Sequence, residues 1–574
     1  MAWASRLVAC CFGVISKIRG WMNPQTYDCK KLAGMLLGFV VNVTIAEIVA
    51  YRILKRDVVG GELPGHVPEL LIISVSCLEA LAAPLVSWLG SQRRRQTLGL
   101  WMVGPLVCVG SWFALPNPNV REESEFCDAA NQNNDTLFTG MTRESTIRLA
   151  VVVFSGCVFA LSRAAVWARG IALCDEYAPD MITVHYGTVV NVRAIALILG
   201  HRIFTSNADT NFTLQVTLLV GFLALTVVQM FFVMPKGNDD APGERKKGFL
   251  SSVGRVCSNG QAMSQMVALG LIAAALGGYG YHENDIIKVK FLLDRAALET
   301  YNLVTVVQYF FALSVVKSIA SRFSAPVMKE YCRRAAIRHV VLMSVLVTAL
   351  FAALALPSCD TGAVAGLGAE YYGHPECSFQ CGCQPRWREF SPVCSTDDMT
   401  TYLSPCQAGC AAVDTVNGIN VYTNCTCGGA RVLPGGCAAG ACRFALDLHN
   451  TIFVILFTVS LLAFQTQGVL VVKSVRRDDR AVALGVMMTV VAALAFVAGP
   501  LLYHAIDVAS CRWYEGDKCH LFNERFPNVV GFTSSFIALL ATLLSVVTFV
   551  CVKMAERSEE NKQNTETNED IELT

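Results

Sequence analysis

Charge is what this sequence has least of. Only 16% of its 574 residues are Asp, Glu, Lys or Arg, against 53% hydrophobic, and the mean hydropathy is +0.46. So little charge cannot cover a water-facing surface of that size, which excludes an ordinary soluble enzyme or binding domain. The net charge of +1 removes the electrostatic drive for association with nucleic acid, so none is expected as a partner. Two chemical signatures are missing as well. There is no GxxxxGK[ST] phosphate loop, hence no ATP motor, and "GYGYHEN" carries His282 and Glu283 without the second histidine of an HExxH zinc site. No enzyme, cofactor or metal is expected. Work by this chain must draw on a substrate gradient, exchange or protons.

Long apolar runs are what the sequence has in place of charge. A helix of about 18 or more apolar residues crosses roughly 30 Å of hydrocarbon. Runs of that kind lie near 33–54, 69–89, 97–115, 146–172, 183–203, 213–234, 264–283, 300–319, 336–356, 449–472, 481–505 and 529–552. The expectation is an all-α membrane protein of twelve transmembrane helices embedded in a lipid bilayer. "RLVACCFGVI" resembles a signal-peptide core, but Lys17, Arg19, Lys30 and Lys31 follow at once, so residues 1–32 read as a cytoplasmic lead-in. Further segments follow from the runs: a six-helix bundle over 33–235, a linker over 236–263, and a second bundle split into 264–356 and 449–552. A loop over 357–448 divides that second bundle, and 553–574 reads as a disordered tail.

Basic residues set the orientation. Arg93, Arg94 and Arg95 follow the second run; Lys236, Arg245, Lys246, Lys247 and Arg255 follow the sixth. Arg333, Arg334 and Arg338 follow the eighth, and Lys473, Arg476, Arg477 and Arg480 the tenth. With twelve spans all four groups share one side, which is then cytoplasmic together with both termini. The glycosylation sequons at Asn134, Asn211 and Asn424 then fall outside, whereas the one at Asn42 lies within the first span and is silent.

The loop over 357–448 holds eleven cysteines: Cys359, Cys377, Cys381, Cys383, Cys394, Cys406, Cys410, Cys425, Cys427, Cys437 and Cys442. An outer loop this poor in large apolar residues needs cross-links in place of a core. A zinc site is the competing reading, with His374 the only nearby histidine. Cys511 and Cys519 form a further pair, and since eleven is odd, Cys127 in the second outer loop is a candidate partner for the one left over. Connectivity is open at this point.

"CGCQPRWREFSPVCSTDDMTTYLSPCQAGC" with "YTNCTC" resembles the Kazal-like outer loop of the organic anion transporting polypeptides. "SWLGSQRRRQTLG", "GIALCDEY", "KFLLDRAALETY", "RAVALGVMM" and "CRWYEGDKCHLFNERF" resemble other segments of that family. The stretch "NFTLQVTLLVGFL" departs from the family's tryptophan-rich signature, which marks a divergent member. The resemblance implies a major facilitator fold and sodium-independent plasma-membrane transport of large amphipathic organic anions, such as conjugated steroids, bile acids or eicosanoids. A different solute, or a receptor or scaffold that displays the outer domain, is the alternative. A Kazal fold also implies protease inhibition, but that would leave twelve spans without a purpose.

Ionisable groups inside a bilayer are costly and mark candidate sites. Arg163 in the fourth span and Arg193 in the fifth could grip an anionic substrate, with Glu47 and Glu79 as counter-ions; equally, the four could neutralise one another as structural pairs. Arg169, near Asp175 and Glu176, suits a salt bridge at the cytoplasmic gate. His504 and Asp507 could sense protons. Gly277, Gly278 and Gly280 read as the end of the seventh span, and Tyr279, Tyr281, Tyr301, Tyr309 and Phe310 as an aromatic wall or ordinary packing.

Overall fold

A computed structural model describes residues 29–59, 63–64, 66–89, 94–115, 127, 141–177, 182–206, 212–233, 248–293, 295–319, 333–367, 373, 375–381, 383, 391–416, 419–427, 429, 431–437, 442–515 and 518–572. Each long apolar run is a helix. The first bundle comprises α1 (Cys29–Val59), α2 (Val67–Leu89), α3 (Arg94–Ser111), α4 (Arg143–Tyr177), α5 (Ile182–Ser206) and α6 (Phe212–Val233). A short helix, α7 (Phe249–Cys257), precedes the second bundle of α8 (Gly260–Phe291), α9 (Arg295–Ile319), α10 (Arg333–Ala353) and α11 (Arg443–Ser474). Its eleventh span is α12 (Arg480–Val491) continued through a π-helical stretch (Ala492–Ala498) into α13 (Gly499–Ser510), and its last is α14 (Phe526–Glu572). Among the described residues this makes twelve spans, six to a bundle.

Large apolar side chains outside the bundle centres, such as Leu81, Leu100, Phe154 and Phe311, stay exposed, as a lipid-facing surface requires. The bundles meet where α2 packs on α12 and α5 packs on α9 and α11. The second span thus meets the eleventh and the fifth the eighth, and a two-fold axis along the membrane normal exchanges those two pairs. This is the major facilitator arrangement.

Three local features depart from the sequence reading. Gly277, Gly278 and Gly280 do not end the seventh span: α8 runs unbroken to Phe291. Gly278 is there for space, because a Cβ on it would overlap the Tyr503 ring. The irregular helix is instead the eleventh span. Pro500 has no N–H to offer the preceding turn, and the helix widens over Ala492–Ala498. The tail expected to be disordered over 553–574 continues α14 as helix to Glu572. It holds no Gly or Pro to stop the helix, carries six Glu, and is tied back where Arg334 pairs with Glu556.

The cysteine-rich loop forms a Kazal-like module on one face. Its five-stranded antiparallel sheet has the order β2-β1-β5-β4-β3, from β1 (Val393–Ser395), β2 (Thr401–Tyr402), β3 (Cys410–Val416), β4 (Ile419–Cys425) and β5 (Val432–Pro434). Val393, Tyr402, Ala408, Tyr422 and Val432 make a core too small to hold the fold alone. Five bonds within the loop compensate: Cys359–Cys442, Cys377–Cys427, Cys383–Cys406, Cys394–Cys437 and Cys410–Cys425. The eleventh cysteine, Cys381, bonds Cys127 of the first bundle. Cys511–Cys519 closes the hairpin of β6 (Cys511–Glu515) and β7 (Lys518–Phe522). The module stands on the second bundle, where Gly436 N–H donates to the Leu292 carbonyl and the disulfide sulfur of Cys359 lies 3.5 Å from the Lys290 carbonyl.

Candidate functional site in the bundle interior

Arg163 is buried at 5% exposure in α4, which packs against both α1 and α2. Those two helices deliver one carboxylate each. Arg163 Nη1 pairs with Glu47 of α1 and Nη2 with Glu79 of α2, while Nε lies 3.4 Å from the second oxygen of Glu79. Each nitrogen of the guanidinium therefore faces a carboxylate. Isolated, any of the three would carry a large desolvation cost in this position; together they offset it.

Arg193 sits near the middle of α5 and differs from Arg163. It lies within electrostatic reach of Glu47, Arg163 and the Tyr186 phenol, but its buried Nε has no hydrogen-bond partner among the described residues. Nearby on the same helix, Asn191 Nδ2 reaches Gln465 Oε1 of α11 at 3.5 Å, and Asn191 Oδ1 is unpartnered among the described residues. The Tyr186 hydroxyl approaches Met487 Sδ of α12 at 3.8 Å. A Cβ on Gly468 of α11 would overlap that hydroxyl, so only glycine admits the tyrosine there. The four charged residues thus lie together where α5 faces the second bundle, with one guanidinium fully engaged and one not.

The face opposite the module is bridged across the bundles. Asp175, at the end of α4, receives Lys473 Nζ at 3.2 Å and the Arg480 guanidinium, both from the second bundle. Arg255 of α7 grips Asp479 through two bonds of 2.8 and 2.7 Å, which push its pKa up. Phe249 of α7 packs on Trp88 at the end of α2, and Asn259 donates to the Ser474 carbonyl. The side chains of Arg93, Arg94, Arg95 and Glu176 lie outside the described residues.

On the module side, Glu69 of α2 accepts from Tyr51 at 3.3 Å and from Tyr281 of α8 at 3.2 Å. His504 is not the histidine beside Asp507. It is exposed on the outer surface of α13, one turn from Asp507, and the buried His282 of α8 lies 3.5 Å from the carboxylate instead. Spacing along one helix suggested the former pair; packing between α8 and α13 makes the latter. The five aromatics do not form one wall. Tyr279 stacks on Phe453, Tyr309 packs on Phe457 and Tyr301 donates to Glu283, all buried, while Phe310 is exposed at 57%. Asn424 is exposed at the end of β4, and Asn42 is buried with its amide donating to the Gly38 carbonyl. Asn134 and Asn211 lie outside the described residues.

Comparison with known proteins places this architecture. The solved structure of a bacterial homologue of the iron transporter ferroportin, in an outward-facing state, is similar over 90% of this chain and 99% of its own, with a TM-score of 0.50 at 11% identity, a likeness of fold alone. Solute carrier organic anion transporter family member 2B1 of Mus musculus is 27% identical over 218 residues, which are 33% of this chain and 30% of that protein. Member 1B3 of Homo sapiens is 26% identical over 232 residues, 36% and 33% of the two chains. The chain thus spans about a third of the length of the curated relatives it matches. The model of the Organic Anion Transporter Polypeptide (OATP) family matches residues 233–525, from the end of α6 through the module to the last hairpin. With that match and the twelve-span fold, the chain belongs to the Organic Anion Transporter Polypeptide (OATP) family.

Proposed function

We propose that the protein is a secondary transporter of large amphipathic organic anions, sodium-independent and working by alternating access at the plasma membrane. In this reading the module faces outside, and both termini and the Asp175 bridge face the cytoplasm. The observation that carries it is Arg193, a guanidinium in the middle of the span that packs on the second bundle, with its buried Nε left without a hydrogen-bond partner among the described residues. A charge so placed is costly unless a ligand uses it. Arg163, Glu47 and Glu79 tie α1, α2 and α4 together beside it, and Asn191, Tyr186 and Gln465 supply polar contacts from both bundles. The Asp175 bridges at one end and the Glu69–Tyr281 bond at the other are the contacts that rocking of the bundles would break in turn. His282 and Asp507 are the groups for proton sensing.

Uptake of a radiolabelled steroid sulfate by cells that express the protein tests this. Saturable uptake, unchanged when choline replaces sodium and lost in Arg193→Ala at normal surface level, is the expected result. Normal surface abundance with no flux across a panel of organic anions would favour display of the module as the function.

A further inference from the structure

We infer that the groove between α10 and α14 binds an anionic phospholipid, whose headgroup phosphate is held by Arg338, Lys553 and Arg557 at the end of the bundle opposite the module. The inference does not depend on which solute the protein carries.

The two helices pack antiparallel in one register. The Thr348 and Thr542 hydroxyls meet at 3.0 Å, and Arg334 pairs with Glu556. The two contacts lie fourteen residues apart on both helices, so the register is the same between them. It sets position 338 opposite position 552, with Lys553 one residue on, about 1.5 Å along the axis. Packed helix axes lie about 8–10 Å apart, so the long side chains of Arg338 and Lys553 reach a common phosphate. Arg557 is one turn past Lys553 on the same face of α14. α10 begins at Arg333, so the positive end of its dipole lies on this side as well.

All three cations are exposed, and each ends a lipid-facing stripe. On α10 the exposed stripe runs from Arg338 through Leu342 and Val345; on α14 it runs through Val546 and Val550 to Lys553 and Arg557. Steps of three and four residues keep each stripe on one face of its helix. Two apolar stripes closed at one end by cations have the polarity of a phospholipid, with room for acyl chains along the helices and for a phosphate at their ends. The local charge agrees. Glu556, the acid nearest in register, is taken by Arg334, and Arg338, Lys553 and Arg557 have no ion pair among the described residues. The next acids, Glu559 and Glu560, stand two and three residues past Arg557, further from the stripe, and their side chains lie outside the described residues. A single cation at a membrane edge anchors its own helix. Three on one groove make a phosphate site, and a lipid bound there bridges α10 and α14 where they leave the membrane.

The test uses the full-length protein purified in a non-ionic detergent and titrated by native mass spectrometry. The probes are dioctanoyl phosphatidylinositol 4-phosphate, dioctanoyl phosphatidylcholine, and inositol 1,4-bisphosphate as the free headgroup. The phosphoinositide should bind at least ten times more tightly than either of the others. A basic residue beside an anionic headgroup is worth about fivefold in binding, so Arg338→Gln/Lys553→Gln should weaken phosphoinositide binding by about twentyfold and leave phosphatidylcholine unaffected. Arg338→Lys/Lys553→Arg, which keeps the charges, should bind much as wild type does. Equal binding of the two lipids by wild type overturns the inference, and so does unchanged phosphoinositide binding in the double glutamine variant. A free headgroup that binds as tightly as the lipid overturns it too, because the apolar groove would then contribute nothing. If the glutamine variant does not fold, the wild-type comparison of the three probes still decides. None of these outcomes bears on uptake, so the transport reading stands or falls separately.

Discussion

Asp175 binds two cations of the other bundle at once, Lys473 at 3.2 Å and Arg480, and its own side chain has no solvent exposure. A fully buried carboxylate held by two charges across a seam resists separation of the bundles, because breaking one partner of such a set typically costs about 3–5 kcal/mol. In Asp175→Asn the seam on the face opposite the module should therefore loosen. Ser87, buried against Gly485 on the same seam, reports it. With the exposed Cys257 and Cys551 replaced by serine, a Ser87→Cys probe should react with maleimide at least ten times faster in inside-out vesicles once Asp175 is neutralised. An unchanged rate would mean that α2–α12 packing alone seals the inner side.

Proton dependence separates the two histidines. His282 is enclosed by Tyr281, Tyr503 and Phe526, lies 3.5 Å from Asp507 Oδ1, and feels the charges of Asp285 and His504. A proton that joins His282 strengthens its attraction to Asp507 across the α8–α13 contact, and one that leaves weakens it. His282→Gln should alter the pH profile of uptake, because it removes the imidazole that faces Asp507 across that contact. His504→Gln should keep the wild-type profile, since the exposed imidazole lies on the outer surface of its helix. An altered profile in His504→Gln with a normal one in His282→Gln would reverse the assignment.

The spans, their number and the module were legible because each depends on local content: apolar runs long enough to cross, and cysteines too many for a reduced compartment. The four charged residues of the interior were legible for the same reason, since a charge in an apolar run is conspicuous on its own. Which of them faces which was not. That Arg163 takes both carboxylates and leaves Arg193 open depends on how α1, α2 and α4 rotate against each other. The partner of Asp507 was missed likewise, because His504 is near in sequence and His282 is near only in space. Gly278 was misread as a break when its role is to admit the Tyr503 ring, a demand made by another helix. The widened turn over Ala492–Ala498 did have a local signal, Pro500, just beyond it.

The bond between Cys127 and Cys381 joins the two bundles outside the membrane, and Cys127 N–H also donates to the Cys410 carbonyl. A protease site placed in the segment 236–247 should cut the chain into two fragments that migrate together on a non-reducing gel and separate when reduced. In Cys127→Ser/Cys381→Ser they should separate without reductant. The stem bond is different in kind. Cys359–Cys442 closes 83 residues, and its loss should destabilise the module by about 4–5 kcal/mol. Cys359→Ala/Cys442→Ala should therefore be retained inside the cell, as a fall in the surface-biotinylated fraction of total protein would report.

Gly278 and Tyr503 give the most local test of how the second bundle is packed. A Cβ at position 278 would run into Cε2, Cδ2 and Cζ of Tyr503 together, so the ring must move as a body. The ring is held on two sides: its hydroxyl bonds Ser534 of α14 at 2.5 Å, and its face stacks on His282. Overpacking of this kind costs about 1–3 kcal/mol when neighbours can yield, and here they are pinned. Gly278→Ala should lower the melting temperature of the detergent-purified protein by several degrees. Tyr503→Ala on its own opens a cavity and should destabilise as well. The two changes together should be less harmful than their sum, because the methyl added at position 278 enters space that the ring has left. Additive losses in the double variant would show that α8 and α13 do not meet at this pair.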